Sequence, residues 1–103
     1  MTDYSITKLD ISNKGLTKLP DDIDEYINLH ELNCGRNKLT SLDNLPPNLV
    51  ELNCRYNKLT SLDNLPTNLQ KLDYCGNPLT YDFEPTLDNI RKYNATKKLS
   101  SNT

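Results

Sequence analysis

Residues 29–48 and 49–68 are two copies of one block of twenty, identical at sixteen positions. Each copy carries its leucines at fixed places: Leu29, Leu32, Leu39, Leu42 and Leu45 return as Leu49, Leu52, Leu59, Leu62 and Leu65. A block this short cannot enclose its own apolar side, so neighbouring copies are expected to stack and share it. Looser copies flank the pair, with Leu69, Leu72, Asn77 and Leu79 after it and Ile6, Leu9, Ile11, Leu16 and Leu19 before it. Such a stack offers a surface and no cleft for chemistry.

Alternation locates the strands. Leu32 and Cys34 flank Asn33, Leu52 and Cys54 flank Asn53, Leu72 and Tyr74 flank Asp73, and Leu9 and Ile11 flank Asp10. With a period of two, the apolar members point inward and the polar ones outward. The spacing predicts short parallel strands near residues 8–11, 31–34, 51–54 and 71–74. Asn37, Asn57 and Asn77 then share one register, with Lys14 in their place in the first copy. An Asn side chain holds donors and an acceptor, and these are expected to satisfy backbone groups of their own turn and of the next one. Pro46, Pro47 and Pro66 should make the outer side extended or polyproline-like.

The first connection is longer and contains Asp21, Asp22, Ile23, Asp24, Glu25, Tyr26 and Ile27, which suits a turn or two of helix. Its acids read mainly as a solvated face. Phe83, Leu87, Ile90 and Tyr93 share a helical spacing, with Pro85 suited to the first turn and Arg91 and Lys92 to the end. A helix there would cap the stack. The division expected is 1–80 for the stacked copies and 81–103 for the cap and a polar tail.

Composition excludes several functions. The net charge is −2 with 25% charged residues, which argues against nucleic-acid binding, and Arg91, Lys92, Lys97 and Lys98 make only a weak basic tail. No run approaches the ~20 apolar residues of a membrane span, and the N-terminus lacks the features of a secretory signal. Asn94-Ala95-Thr96 is a sequon read as a chance triplet. Cys34 and Cys54 share a register, Cys75 falls one place later, and there is one histidine. That spacing predicts no metal site. It predicts small buried thiols in a reducing compartment, with a disulfide between stacked copies as the alternative.

The pattern L-x-x-L-x-[LC]-x-x-N-x-L, as in Leu29, Leu32, Cys34, Asn37 and Leu39 and in Leu49, Leu52, Cys54, Asn57 and Leu59, resembles the leucine-rich repeat family. Its twenty-residue Leu-Pro form is similar to short repeats of secreted bacterial effectors, and the Cys-x-x-Asn-x-Leu-Thr-Ser-Leu wording to repeat proteins of giant DNA viruses. The resemblance implies a solenoid with short parallel β-strands on a concave face, an extended, polyproline or short helical outer side, and a C-terminal helical cap. It also implies protein binding through the concave face. A cytoplasmic place is expected, in the host cell where the chain is viral.

The two copies differ at His30/Val50, Gly35/Arg55, Arg36/Tyr56 and Pro47/Thr67. Arg and Tyr are frequent interface anchors. Arg36, Arg55 and Tyr56, with Glu31, Glu51 and His30 nearby, form the candidate protein-binding site. A face of this length gives an interface near the lower end of the ~1,200–2,000 Å² usual for specific complexes. The expected function is a non-catalytic protein–protein interaction module without cofactor or metal. The alternative is a self-assembling or structural protein, such as a homodimer. His30 and Cys34 do not make a thiol pair, because Cys34 should point inward and His30 should not.

Overall fold

The computed structural model describes residues 2–100, with side chains described through residue 97. Four strands of three residues, β1 (Lys8–Asp10), β2 (Glu31–Asn33), β3 (Glu51–Asn53) and β4 (Lys71–Asp73), form one parallel sheet in chain order. They lie where alternation placed them. Leu9, Leu32, Leu52 and Leu72 pair across the sheet, so one row of leucines faces the core. Leu32 and Leu52 are buried with Leu29, Leu39, Leu49, Leu59, Leu62 and Leu69. At ~0.8 kcal/mol per buried CH₂, this apolar burial is the main stabilising term.

The expectation of a leucine-rich repeat solenoid is corrected. The described residues form a single small domain with a four-stranded parallel sheet and one helix, α1 (Leu87–Ser100). Its core is one cluster that runs from Leu19 to Ile90, so the helix belongs to the same core as the strands. The radius of gyration is 13.6 Å, close to the ~13 Å of a compact chain of about 100 residues. The physical reason lies outside the duplicated block. Near-identity of two copies predicts a unit that stacks on indefinitely, but the flanking segments are unlike it and shut the core at both ends.

Those closures are made of specific contacts. At the N-terminal side the Tyr4 hydroxyl donates to Asp22 Oδ2 at 2.7 Å, and its ring stands edge-on to Tyr26 at 5.0 Å. At the other side the Leu62 N–H donates to Tyr81 Oη at 2.8 Å, and the Leu62 carbonyl accepts from Asn94 Nδ2 at 3.0 Å. Arg91 of α1 donates to the carbonyls of Pro66, Thr67 and Leu69. These groups would otherwise end the sheet layer unpaired, which costs ~1–3 kcal/mol for each buried one. Arg91 is thus occupied structurally.

Local expectations are refined in three places. The first connection holds a 3-10 turn, Ile23–Glu25. In that geometry residues three apart eclipse, so Ile23 and Tyr26 are buried and Ile27 is 57% exposed. The prolines do not build an extended outer side: Leu49 N–H donates to the Pro46 carbonyl at 3.4 Å and Leu69 N–H to that of Pro66 at 3.2 Å, closing turns, and Pro46 is fully buried. Proline has no N–H to give but a free carbonyl to accept. Helix α1 starts two residues after Pro85, because Thr86 Oγ1 accepts from the Asn89 N–H and caps the first turn. It continues past Arg91 and Lys92, which lie mid-helix. Of the expected tail, residues 101–103 and the Lys98 side chain lie outside the described residues.

Cys34 and Cys54 are buried with free thiols, and Cys75 is exposed. Burial pushes the Cys34 thiol up to about 12 and that of Cys54 up as well, so neither supplies a thiolate near neutral pH. A thiol reagent should therefore modify the folded protein at Cys75 alone and reach Cys34 and Cys54 only after denaturation. Rapid labelling of all three without denaturant would contradict the burial of the pair.

Candidate functional site

The asparagine register after the strands sets the backbone on which the site is built. Asn57 Oδ1 accepts from the Leu39 N–H at 3.0 Å, and its Nδ2 donates to the Cys34 and Cys54 carbonyls, both at 3.0 Å, and to that of Arg55 at 3.2 Å. Asn37 and Asn77 repeat the arrangement. Each side chain reaches its own turn and the preceding one, not the next one as the sequence suggested. In the first copy Lys14 holds this place, and its N–H donates to Asn37 Oδ1 at 3.0 Å.

A second column lies on the open face. The carboxylate or amide oxygen of Asp10, Asn33, Asn53 and Asp73 accepts the N–H two residues on, at Ser12, Gly35, Arg55 and Cys75. This is the Asx turn. It bends each chain away from the sheet and directs the following residues to one rim. There the backbone turns left-handed at Asn13, Arg36, Tyr56 and Gly76, with φ of 56°, 55°, 53° and 76°.

At that rim the structure brings three of the six expected residues together. The guanidinium carbons of Arg36 and Arg55 lie 4.8 and 5.4 Å from the Tyr56 ring centroid. Arg36 is exposed and Tyr56 is 44% exposed, so each cation–π contact is worth ~0.5–1 kcal/mol. Arg55 Nε stands 3.5 Å from Asp73 Oδ2 without an aligned hydrogen bond. The pair is nearly half exposed and contributes little.

Glu31 and Glu51 lie at the other end of the strands. They line a shallow depression of about 530 Å³ over the sheet, together with Asn33, Asn53 and Asp73. Lys8 Nζ is 3.0 Å from Glu31 Oε2 and Lys71 Nζ 3.5 Å from Glu51 Oε1. The hydrogen bond from Lys8 holds the Glu31 carboxyl below its usual range. His30 is exposed but does not line the depression; its backbone bridges Thr7 and Val50. Lys8, Lys71 and Asp73 line the same face and are not among the residues expected from sequence. Their signal was present, since each shares a register with a site residue of opposite charge or amide type.

Gly76 has a particular reason. A Cβ built there would stand 2.3 Å from Tyr56 Cδ1, and its φ of 76° disfavours any other residue. Gly76→Ala should cost ~1–2 kcal/mol from the backbone conformation and more from displacing the ring. In a Tyr56→Ala background only the backbone part should remain, leaving a coupling of ~0.5–3 kcal/mol in a double-mutant cycle read by urea denaturation. Strictly additive losses would mean that the ring does not lie over Gly76.

Among the described residues no group of His, Cys, Asp and Glu is placed to hold a metal ion, and no helix is long and apolar enough to cross a membrane. Comparison with protein-family models, with curated proteins and with solved structures gives no match to this chain. The resemblance to leucine-rich repeat proteins, and through it to bacterial-effector and giant-virus repeats, is therefore not upheld: no relative supports it, and the architecture is a single small domain of one sheet and one helix.

Proposed function

We propose that the chain is a non-catalytic module that binds a protein partner through the open face of its sheet. The contact centres on Arg36, Arg55 and Tyr56, with Glu31 and Glu51 at the other end of the same open face. The observation that carries this reading is the pair of left-handed φ values at Arg36 and Tyr56. Asn13 and Gly76 hold the same conformation in the outer members of the row, and it suits them. An Arg and a Tyr there each cost ~1–2 kcal/mol, and neither fills the core. Stability given up for exposed side chains suits a recognition surface better than an idle one. The rim is rigidly based, because its spacing follows from strands ~4.8 Å apart, and a preorganised site loses less entropy on binding. The free thiols suit a reducing compartment, so a cytoplasmic place belongs to the same reading.

The test is a comparison of the wild-type chain with the Arg55→Ala/Tyr56→Ala double variant. A partner captured from the native cell and then purified should bind the variant more weakly by over ~tenfold, while the chain stays folded and loses only the ~0.5–1 kcal/mol of each cation–π contact, since neither side chain supports the core. Undiminished affinity would remove the rim from the contact. Loss of binding on neutralising Asp21, Asp24 and Glu25 instead would move the working face to the first connection.

A further inference from the structure

The polar groups of the open face are unevenly used. Asn33 Oδ1 and Asn53 Oδ1 accept the Gly35 and Arg55 N–H, while their Nδ2 donors have no hydrogen-bond partner among the described residues. Asp10 Oδ1 and Asp73 Oδ1 accept from Ser12 and Cys75 in the same way. The Glu31 and Glu51 carboxylates are paired with Lys8 and Lys71. Each carboxylate of the face thus has a partner of its own, while the two amide donors have none. Arg36 has no carboxylate within ion-pair distance among the described residues, and Arg55 meets Asp73 only through its buried Nε, at 3.5 Å and without an aligned hydrogen bond. Both guanidiniums lie against one tyrosine ring, which fixes their position and leaves N–H groups for a ligand.

From this imbalance we infer that the rim binds an acidic peptide segment: a Glu or Asp carboxylate seats on Arg36 and Arg55, and the adjoining peptide carbonyls accept from Asn33 Nδ2 and Asn53 Nδ2. The inference rests on the reading of the open face as a protein-binding surface and names the chemistry of its partner. Charge complementarity favours this occupant. The chain as a whole carries −2, so a second acidic molecule is repelled in general and is attracted where cations stand together, as the two guanidiniums do here. A carboxylate takes a guanidinium through paired N–H groups, a match that an amide lacks. The two Asn donors lie in the same register on β2 and β3, one strand spacing of ~4.8 Å apart, so a peptide laid across the strands meets one amide donor on each.

The test uses short synthetic peptides added to the full chain labelled with ¹⁵N, at low salt. One carries two Glu residues in a Gly-Ser-Ala background, the second has Gln at those places, and the third has Lys. The Glu peptide should shift the side-chain NH₂ signals of Asn33 and Asn53 and the Nε–H signals of Arg36 and Arg55. It should bind at least about tenfold more tightly than the Gln peptide. Arg36→Gln/Arg55→Gln should abolish that preference while the backbone spectrum of β1–β4 stays in place. Equal binding of the Glu and Gln peptides, preference for the Lys peptide, or shifts confined to Glu31 and Glu51 would each overturn the inference. If the peptides fail but Arg55→Ala/Tyr56→Ala still weakens the captured partner, the binding face stands and only its acidic-peptide chemistry falls. If both fail, the face itself is wrongly assigned.

Discussion

Replacing Asn57 by Ala should destabilise the protein by ~2–4 kcal/mol, a large part of the ~5–15 kcal/mol that holds a small domain together. The side chain is 6% exposed and makes four hydrogen bonds. They are not equally costly to lose. The Cys34 and Cys54 carbonyls keep a second donor in Asn37 and Asn77, and the Arg55 carbonyl keeps the Arg36 N–H. The Leu39 N–H has no substitute for Asn57 Oδ1, and it is buried. One stranded donor costs ~1–3 kcal/mol, and the remaining lost bonds and the empty space account for the rest. Asn57→Asp should be at least as harmful, because it turns an oxygen on the three carbonyls and buries a charge. Asn53→Ala loses a single bond to the Arg55 N–H at a half-buried turn and should cost under ~1 kcal/mol. Chemical denaturation of the three variants separates these effects. Similar losses for Asn57→Ala and Asn53→Ala would refute the difference drawn between the two asparagine columns.

Legibility of the fold from sequence differs by scale. The strands are readable because a Leu-x-apolar alternation, ending in Ile11, Cys34, Cys54 or Tyr74, survives in every copy, and the asparagines are readable because three share one register. The overall architecture is not. Identity between residues 29–48 and 49–68 carries information about how one turn meets its equal, but none about what ends the series. The ends are made by Tyr4 on Asp22 and by Arg91, Asn94 and Tyr81 on the last turns, contacts between residues with no periodic relation. The extent of α1 is less legible, because Pro85 suggests a first turn that the helix does not use; the Thr86 cap three residues before Asn89 is the better signal. The exposure of Ile27 is not legible, because apolar spacing does not separate a 3-10 turn from an α-helix. In the site, the proximity of Arg36, Arg55 and Tyr56 follows from register. Their left-handed backbone does not, since neither residue type suggests it; only Asn13 and Gly76 in the same row hint that the position turns that way.

Replacing Ile90 by Ala tests the closure of the core by α1 and should cost ~2–5 kcal/mol, the usual range for emptying a fully buried aliphatic site. Ile90 has no exposed surface and belongs to the cluster that includes Leu59, Leu62 and Leu69. The helix has little stability of its own: fourteen residues is near the limit for an isolated helix in water, so its order depends on this packing and on the Arg91 and Asn94 contacts. Two outcomes are physically distinct. If the helix shares one core with the sheet, the whole unfolding transition moves to lower denaturant, and far-UV ellipticity and the reactivity of Cys34 and Cys54 change together. If instead the helix were a detachable cover, ellipticity would fall first and the two buried thiols would stay protected to the wild-type midpoint. The shared cluster predicts the first. Separated transitions would show that the strands hold without the helix and that 81–100 is an appendage.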